Sequence, residues 1–140
     1  MYLKYCLLAF LMCSLWVTGQ SQNLLKEKAE VHIYAVPLTA RTKFPVSKKY
    51  FRKIYEVHVF IDAPEEVEFI RKRVLNLIKS QPVTRGNIRA EVEIRTQFGF
   101  KKHIFVHQGG RISLGKYFCD EDTELINFLS DCLPKEYQLP

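Results

Sequence analysis

The chain has 140 residues, 47% of them hydrophobic and 26% charged, and its 21 Lys and Arg residues exceed its 15 Asp and Glu residues to give a net charge of +6. The hydrophobic content excludes an intrinsically disordered chain, and six Gly and six Pro residues are too few for a collagen-like or linker sequence. Four Cys residues exclude a disulfide-dense miniprotein. The length predicts one domain with a hydrophobic core of its own.

The first 19 residues have the pattern of a secretory signal peptide. Lys4 supplies a positive charge, and residues 6–17 follow as an uncharged, apolar run. Such a run rises only about 18 Å as a helix, short of the roughly 30 Å of a bilayer core. Small residues follow at Gly19 and Ser21. We therefore predict a cleavable signal peptide over residues 1–19, an N-terminal extension over residues 20–28, and a secreted or periplasmic protein with no membrane span after cleavage. An uncleaved N-terminal anchor is the alternative.

Two cysteines, Cys119 and Cys132, remain after this cleavage. Residues 120–133 are predicted to form one helix, which places the two thiols near its opposite ends. At 1.5 Å per residue they are about 20 Å apart, whereas a disulfide requires Cα atoms within about 7 Å. We predict two free thiols, and the absence of a close CxxC pair from the sequence predicts no metal site.

The remaining chain shows two hydrophobic periodicities. Alternation at period two predicts five strands, over residues 30–35, 54–61, 88–96, 102–107 and 111–118. Helical periodicity predicts two helices, over residues 65–79 and 120–133. The order β-β-α-β-β-β-α predicts an α+β fold over residues 29–134, a two-layer sandwich with both helices on one face of a mostly antiparallel sheet of four to five strands. Residues 135–140 are predicted to be a C-terminal tail.

If the alternating apolar side chains face the helices, the opposite face of the sheet carries all four histidines of the chain. Aromatic and arginine side chains lie among them, a composition typical of interaction surfaces. We predict that a partner binds this open face through His58, Phe60, Arg89, Arg95, His103, Phe105 and His107. Two alternatives remain: a solvated face stabilised by cross-strand ion pairs, or a face covered by a loop or by the N-terminal segment, in which the aromatic residues form a second minor core.

A second candidate surface is a predicted basic loop with six cations and no acidic residue between them: Arg41, Lys43, Lys48, Lys49, Arg52 and Lys53. Cations interleaved with aromatic residues are also typical of nucleic-acid binding. Export disfavours that function, so we expect another protein or an anionic envelope surface as the partner. The alternative is a solvated loop that keeps the protein soluble.

The sequence contains no GxSxG, P-loop, HExxH or GxGxxG motif, and we predict no cofactor. The favoured function is an exported, non-enzymatic binding module, of which an inhibitor or immunity protein is one form. One alternative is a small basic hydrolase that acts on phosphodiesters with His58 and His103 as acid and base. Another is a structural or accessory component of the cell envelope.

Overall fold

The fold is described by a computed structural model, which covers residues 28–37 and 45–139. The predicted signal peptide lies outside the described residues. So do most of the predicted N-terminal extension and Arg41 and Lys43 of the predicted basic loop.

Seven strands form one antiparallel sheet in the order β2-β1-β4-β5-β6-β7-β3. The strands are β1 (Ala29–Ala35), β2 (Val57–Ile61), β3 (Lys79–Pro82), β4 (Ile88–Thr96), β5 (Lys101–His107), β6 (Ile112–Leu114) and β7 (Tyr117–Cys119). The helices are α1 (Lys48–Ile54), α2 (Pro64–Asn76) and α3 (Thr123–Asp131), and a 3-10 turn follows at Lys135–Tyr137. Strands β2 and β3 are the two edges of this sheet.

The predicted α+β class with an antiparallel sheet is confirmed, but the predicted number of elements is wrong. The structure has seven strands and three helices within the described residues. Strand β3 has the polar sequence KSQP and was missed because it lacks alternation. The predicted last strand is divided into β6 and β7 by a turn at Gly115, whose φ of +63° favours glycine.

The main core lies between one face of the sheet and helices α2 and α3. Helix α2 buries Val67, Ile70 and Val74, and α3 buries Leu125, Ile126 and Leu129 against the sheet. Helix α2 has Pro64 and two glutamates in its first turn, and α3 begins at Thr123, three residues after its predicted start. In α3, the Asp122 side chain accepts a hydrogen bond from the backbone N–H of Leu125 at 3.0 Å.

Helix α1 lies on the opposite face of the sheet, where it forms a second core. That core consists of Tyr34, Val36, Val46, Phe51, Ile88 and Phe105. Phe51 is the only buried residue of α1 and is completely covered. A register shift between Ile88 and Ala90 turns Ile88 away from the main core, contrary to the strict alternation expected for this strand. The face is therefore covered in part and carries a second core, but the covering element is a helix formed by residues predicted to be a loop. The helices are not all on one side.

Two further predictions can be compared with the described residues. Cys119 is buried and Cys132 is half-buried, and both thiols are free, as predicted. Within residues 28–37 and 45–139, no helix has the length and apolar character needed to cross a bilayer.

Candidate functional site

The predicted open face does not form one continuous surface, because α1 and the neighbouring loops cover part of it. Arg89, Phe105 and His107 are only 5%, 8% and 4% exposed, so they do not offer a contact surface to a partner. Phe60 and His58 are exposed on edge strand β2. The side chains of Arg95 and His103 are about one third exposed, at 34% and 38%. The face that the sequence predicts thus corresponds to a covered region and separate exposed patches.

A buried charge network connects α1 to the sheet. The Arg52 guanidinium donates to Glu91 at 2.5 Å and also to Glu93, and it lies 3.6 Å from the centre of the Tyr34 ring. Arg95 donates to Glu93 as well. Burial alone would raise the pKa of Glu93, but hydrogen bonds from Arg95 and Arg52 lower that pKa to about 2. Arg52, predicted to lie in a basic loop, therefore attaches a helix to the sheet.

The same network contains three potential metal ligands. One ligand atom each from Glu91, Glu93 and His103 lie within 4.8 Å of one another. Both carboxylates, however, already accept hydrogen bonds from arginine side chains. A divalent cation would have to displace these guanidinium groups, and we therefore assign the network a structural role.

A chain of histidines lies at the β2 edge. His32 Nδ1 is 2.8 Å from His58 Nε2, and His32 Nε2 is 2.9 Å from a carboxylate oxygen of Glu30. The His58 ring stacks on Tyr34 with 4.5 Å between ring centres. Burial, followed by the charges of His32, Arg52 and Arg95, lowers the pKa of His58. The contacts with His32 and Tyr34 hold the His58 ring in place.

The acid–base pair of the hydrolase alternative is not assembled by this geometry. His58 lies on β2 and His103 on β5, three strands away in the sheet order. Three strand spacings separate them by about 14 Å. His103 instead places its Nδ1 atom 2.8 Å from Glu91. The two imidazoles are too far apart to act on one scissile bond.

A cleft of about 690 Å³ lies between α1, the loop after β3 and the β6–β7 turn. We name it the basic cleft, because four of its lining residues are cations: Lys48, Lys49, Arg85 and Lys116. No Asp or Glu is among the described residues that line it. Apolar side chains, including Val46, Val83 and Ile88, form part of its wall. The cleft thus combines positive charge with apolar surface.

Lys48 fixes one side of the basic cleft. Its ammonium group donates a hydrogen bond to the carbonyl oxygen of Gly115 and lies 4.7 Å from the centre of the Phe105 ring. Burial lowers the pKa of Lys48. This side chain joins α1 to the β6–β7 turn, and Lys49, Arg85 and Lys116 are the other exposed cations of the cleft.

Gly86 and His107 form a wall between the basic cleft and an adjoining cavity of about 340 Å³. His107 Nε2 lies 2.8 Å from the Ser113 hydroxyl. A Cβ atom at position 86 would lie 2.3 Å from His107 Nδ1, so the backbone packs directly on the ring. Burial, with the charges of Lys48 and Arg111, lowers the pKa of His107 to about 4. The wall is therefore uncharged, and the cavity beyond it shares Arg85 with the basic cleft and adds one more cation, Arg111.

Sequence reasoning singled out only half of the cations of the basic cleft. Lys48 and Lys49 belong to the predicted basic segment, whereas Arg85 and Lys116 come from loops distant in sequence. One signal could have found them. Both lie beside a turn glycine, in the pairs Arg85-Gly86 and Gly115-Lys116, where cations on exposed turns can converge.

Comparison with known proteins gives no functional information about the chain. No family model matches it, and no curated protein and no solved structure shows significant similarity to it. The function is therefore inferred from the geometry and charge described above.

Proposed function

We propose that the protein is an exported, non-enzymatic binding module that holds an acidic segment of a partner protein in the basic cleft. The observation that carries this proposal is the convergence of Lys48, Lys49, Arg85 and Lys116 on one cavity of about 690 Å³ without an acidic lining residue. The signal-peptide pattern of residues 1–19 supports export.

The chemistry of the cleft favours a peptide segment with both acidic and apolar side chains. Its volume of about 690 Å³ lies within the range of roughly 300–1,000 Å³ typical of ligand sites. The lysine and arginine side chains supply charge-assisted hydrogen bonds to carboxylates. Pro45, Pro82 and Val83, which are exposed or half-buried, supply apolar contact. The net charge of +6 would also increase the rate of association with an acidic partner.

A binding function also fits the distribution of the titratable groups. The buried carboxylates Glu91 and Glu93 are neutralised by arginines, and the two histidines of the hydrolase alternative lie on separate strands. The exposed cations of the cleft are not paired with acidic residues in this way in the described part of the chain. Charge available at a concave surface favours recognition of an acidic group.

The test is affinity capture with a neutralised cleft. Lys49→Gln, Arg85→Gln and Lys116→Gln are combined, while Lys48 is kept because it joins α1 to the β6–β7 turn. The parent protein is expected to capture one stoichiometric partner from the envelope and secreted fractions of its source cells. The triple variant is expected to capture at least about tenfold less, since three charge-assisted contacts are removed.

A matched control separates this local effect from the loss of net charge. Lys28→Gln, Lys72→Gln and Lys135→Gln remove three exposed cations that do not line the cleft. This control variant is expected to capture the partner as the parent does. Equal losses in the two variants, or capture by the triple variant at the parental level, would contradict a role for the basic cleft.

A further inference from the structure

The turn between β4 and β5 carries the two most exposed large hydrophobic residues of the described chain. Phe98 and Phe100 are 71% and 73% exposed. Gly99 lies between them with φ +83°, and its backbone N–H donates to the Thr96 carbonyl at 3.0 Å. The Thr96 N–H in turn donates to the Phe100 carbonyl at 3.0 Å. The two rings are thus presented by a tightly bonded turn.

A third exposed apolar side chain extends this surface. Leu75, near the end of α2, is 60% exposed, and with Phe100 and Val74 it lines a groove of about 160 Å³. We name Phe98, Phe100 and Leu75 the apolar tip. Exposed aromatic residues of this kind rarely occur in clusters on monomeric proteins without a binding function.

Cations surround the apolar tip. Lys101 and Lys102 follow Phe100 directly, and both line the groove together with Arg71 of α2. Lys28 is also close, because its carbonyl accepts a hydrogen bond from the Gln97 N–H at 2.9 Å. Lys101 contacts Glu93 at 3.7 Å and keeps 54% of its side chain exposed. Positive charge thus lies immediately behind the protruding rings.

We propose that the apolar tip inserts into the surface of an anionic lipid bilayer, with Lys101, Lys102 and Arg71 in contact with the headgroups. Aromatic side chains favour the membrane interface, where an apolar ring meets polar headgroups. Basic residues near an anionic membrane surface add electrostatic attraction. The inference is independent of the basic cleft and concerns a different region of the molecule.

The shape of the tip favours a bilayer over a protein partner. Phe98 and Phe100 protrude from a turn, and a protein would need a complementary pocket to bury rings that are 71% and 73% exposed. A bilayer accepts protruding side chains without a preformed pocket. The groove of about 160 Å³ below the tip is also smaller than typical ligand sites of roughly 300–1,000 Å³.

The experiment measures sedimentation with vesicles of phosphatidylcholine containing phosphatidylglycerol, and with vesicles of phosphatidylcholine alone. The protein is expressed with its own N-terminal segment and purified from the exported fraction, so that every variant has the same processed N-terminus. The parent protein is expected to bind the anionic vesicles more strongly than the neutral ones. Phe98→Ala combined with Phe100→Ala is expected to weaken binding to anionic vesicles at least about tenfold, because it removes the two rings that enter the bilayer.

A matched control removes two exposed aromatic residues elsewhere. Tyr50 and Tyr117 are 53% and 43% exposed, and each has a lysine ammonium group near its ring, at 5.6 Å and 5.5 Å. Tyr50→Ala combined with Tyr117→Ala is expected to bind vesicles as the parent does. A circular dichroism melting curve of each variant shows whether it is folded.

Three outcomes would overturn the proposal. The first is a folded tip variant that binds anionic vesicles as strongly as the parent. The second is parental binding that is the same for neutral and anionic vesicles. The third is a tip variant that loses capture of a protein partner while the parent binds no vesicles, which would make the tip a protein contact. None of these outcomes changes the result expected for the basic cleft.

Discussion

The close contact between Gly86 and His107 makes position 86 sensitive to the smallest side chain. A Cβ atom there would lie 2.3 Å from His107 Nδ1, and the ring is held by Ser113 on its other side. We predict that Gly86→Ala lowers the free energy of unfolding by about 1–3 kcal/mol, as overpacking does elsewhere. Urea denaturation measures this change.

The variant His107→Ala provides the control for this contact. It removes the ring that the new methyl group would meet. Gly86→Ala is therefore expected to be less destabilising in the His107→Ala background than in the parent. Equal effects in both backgrounds would show that the strain arises elsewhere.

His107 also predicts a pH dependence of stability. Its pKa falls from a usual 6.5 to about 4 in the folded protein because of burial and the charges of Lys48 and Arg111. Between these two pH values the unfolded chain binds a proton that the folded protein does not. The contribution of His107 to the free energy of unfolding is therefore complete above pH 6.5 and decreases as the pH falls toward 4. We predict that His107→Gln flattens the dependence of the urea midpoint on pH in this window. An unchanged slope would show that the pH dependence arises from other groups.

Glu93 titrates in a different window, which keeps the two effects separate. Its pKa falls from 4.5 to about 2, with burial opposed by hydrogen bonds from Arg95 and Arg52. This contribution is present above pH 4.5 and is lost as the pH falls toward 2. The decrease in stability between pH 6.5 and 4.5 therefore tests the contribution of His107 without interference from Glu93.

At the scale of elements, helix α1 depends on one arginine. Arg52 bonds to two carboxylates whose side chains are only 6% and 4% exposed. We predict that Arg52→Met destabilises the protein by about 2–4 kcal/mol, because it removes the arginine bound to buried Glu91 and one of the two arginines bound to buried Glu93. The exposed neighbour Lys53 is the control, and Lys53→Met is expected to change the unfolding free energy by less than about 0.5 kcal/mol. Similar effects of the two substitutions would contradict the role of Arg52.

The elements that the sequence predicted well are those with a long, regular hydrophobic pattern. The alternation of residues 88–96 corresponds to β4 over Ile88–Thr96, and the apolar stripe of residues 65–79 corresponds to α2 over Pro64–Asn76. Helix α1 has seven residues and buries only Phe51, so no periodic pattern marks it. Helices this short form through tertiary contacts, here with Glu91, Glu93 and Tyr34, that the local sequence does not contain.

At the scale of the whole molecule, the two proposed surfaces were not predictable because each combines residues from a helix and from turns that are distant in sequence. The basic cleft joins α1 to turns near residues 85 and 116, and the apolar tip joins a strand turn to α2. Hydrophobic periodicity placed His107 and Phe105 on the right strand but did not predict that they are covered. Burial was decided by α1 and by Gly86, which are distant in sequence.

The basic cleft and the apolar tip lie at opposite ends of β4 and β5. Ile88 and His107 line the cleft, whereas Thr96 and Lys101 line the groove beside the tip. Strand β4 has nine residues and is therefore roughly 26 Å long. This length exceeds the screening length of about 8 Å at physiological ionic strength but not the roughly 30 Å at 0.01 M salt.

We predict from this spacing that the two surfaces act independently at physiological salt and become coupled at low salt. At 0.15 M salt, the combined Lys49, Arg85 and Lys116 variant is expected to bind anionic vesicles within about twofold of the parent, because its lost charges are screened from the membrane. At 0.01 M salt the same variant is expected to bind more weakly than the parent, because the screening length is then about 30 Å and the cations of the cleft can attract the membrane over that distance. Vesicle sedimentation at both salt concentrations measures the difference. A large loss at 0.15 M salt would mean that the cleft itself contacts the bilayer, and equal binding at 0.01 M salt would mean that its cations do not contribute to long-range attraction.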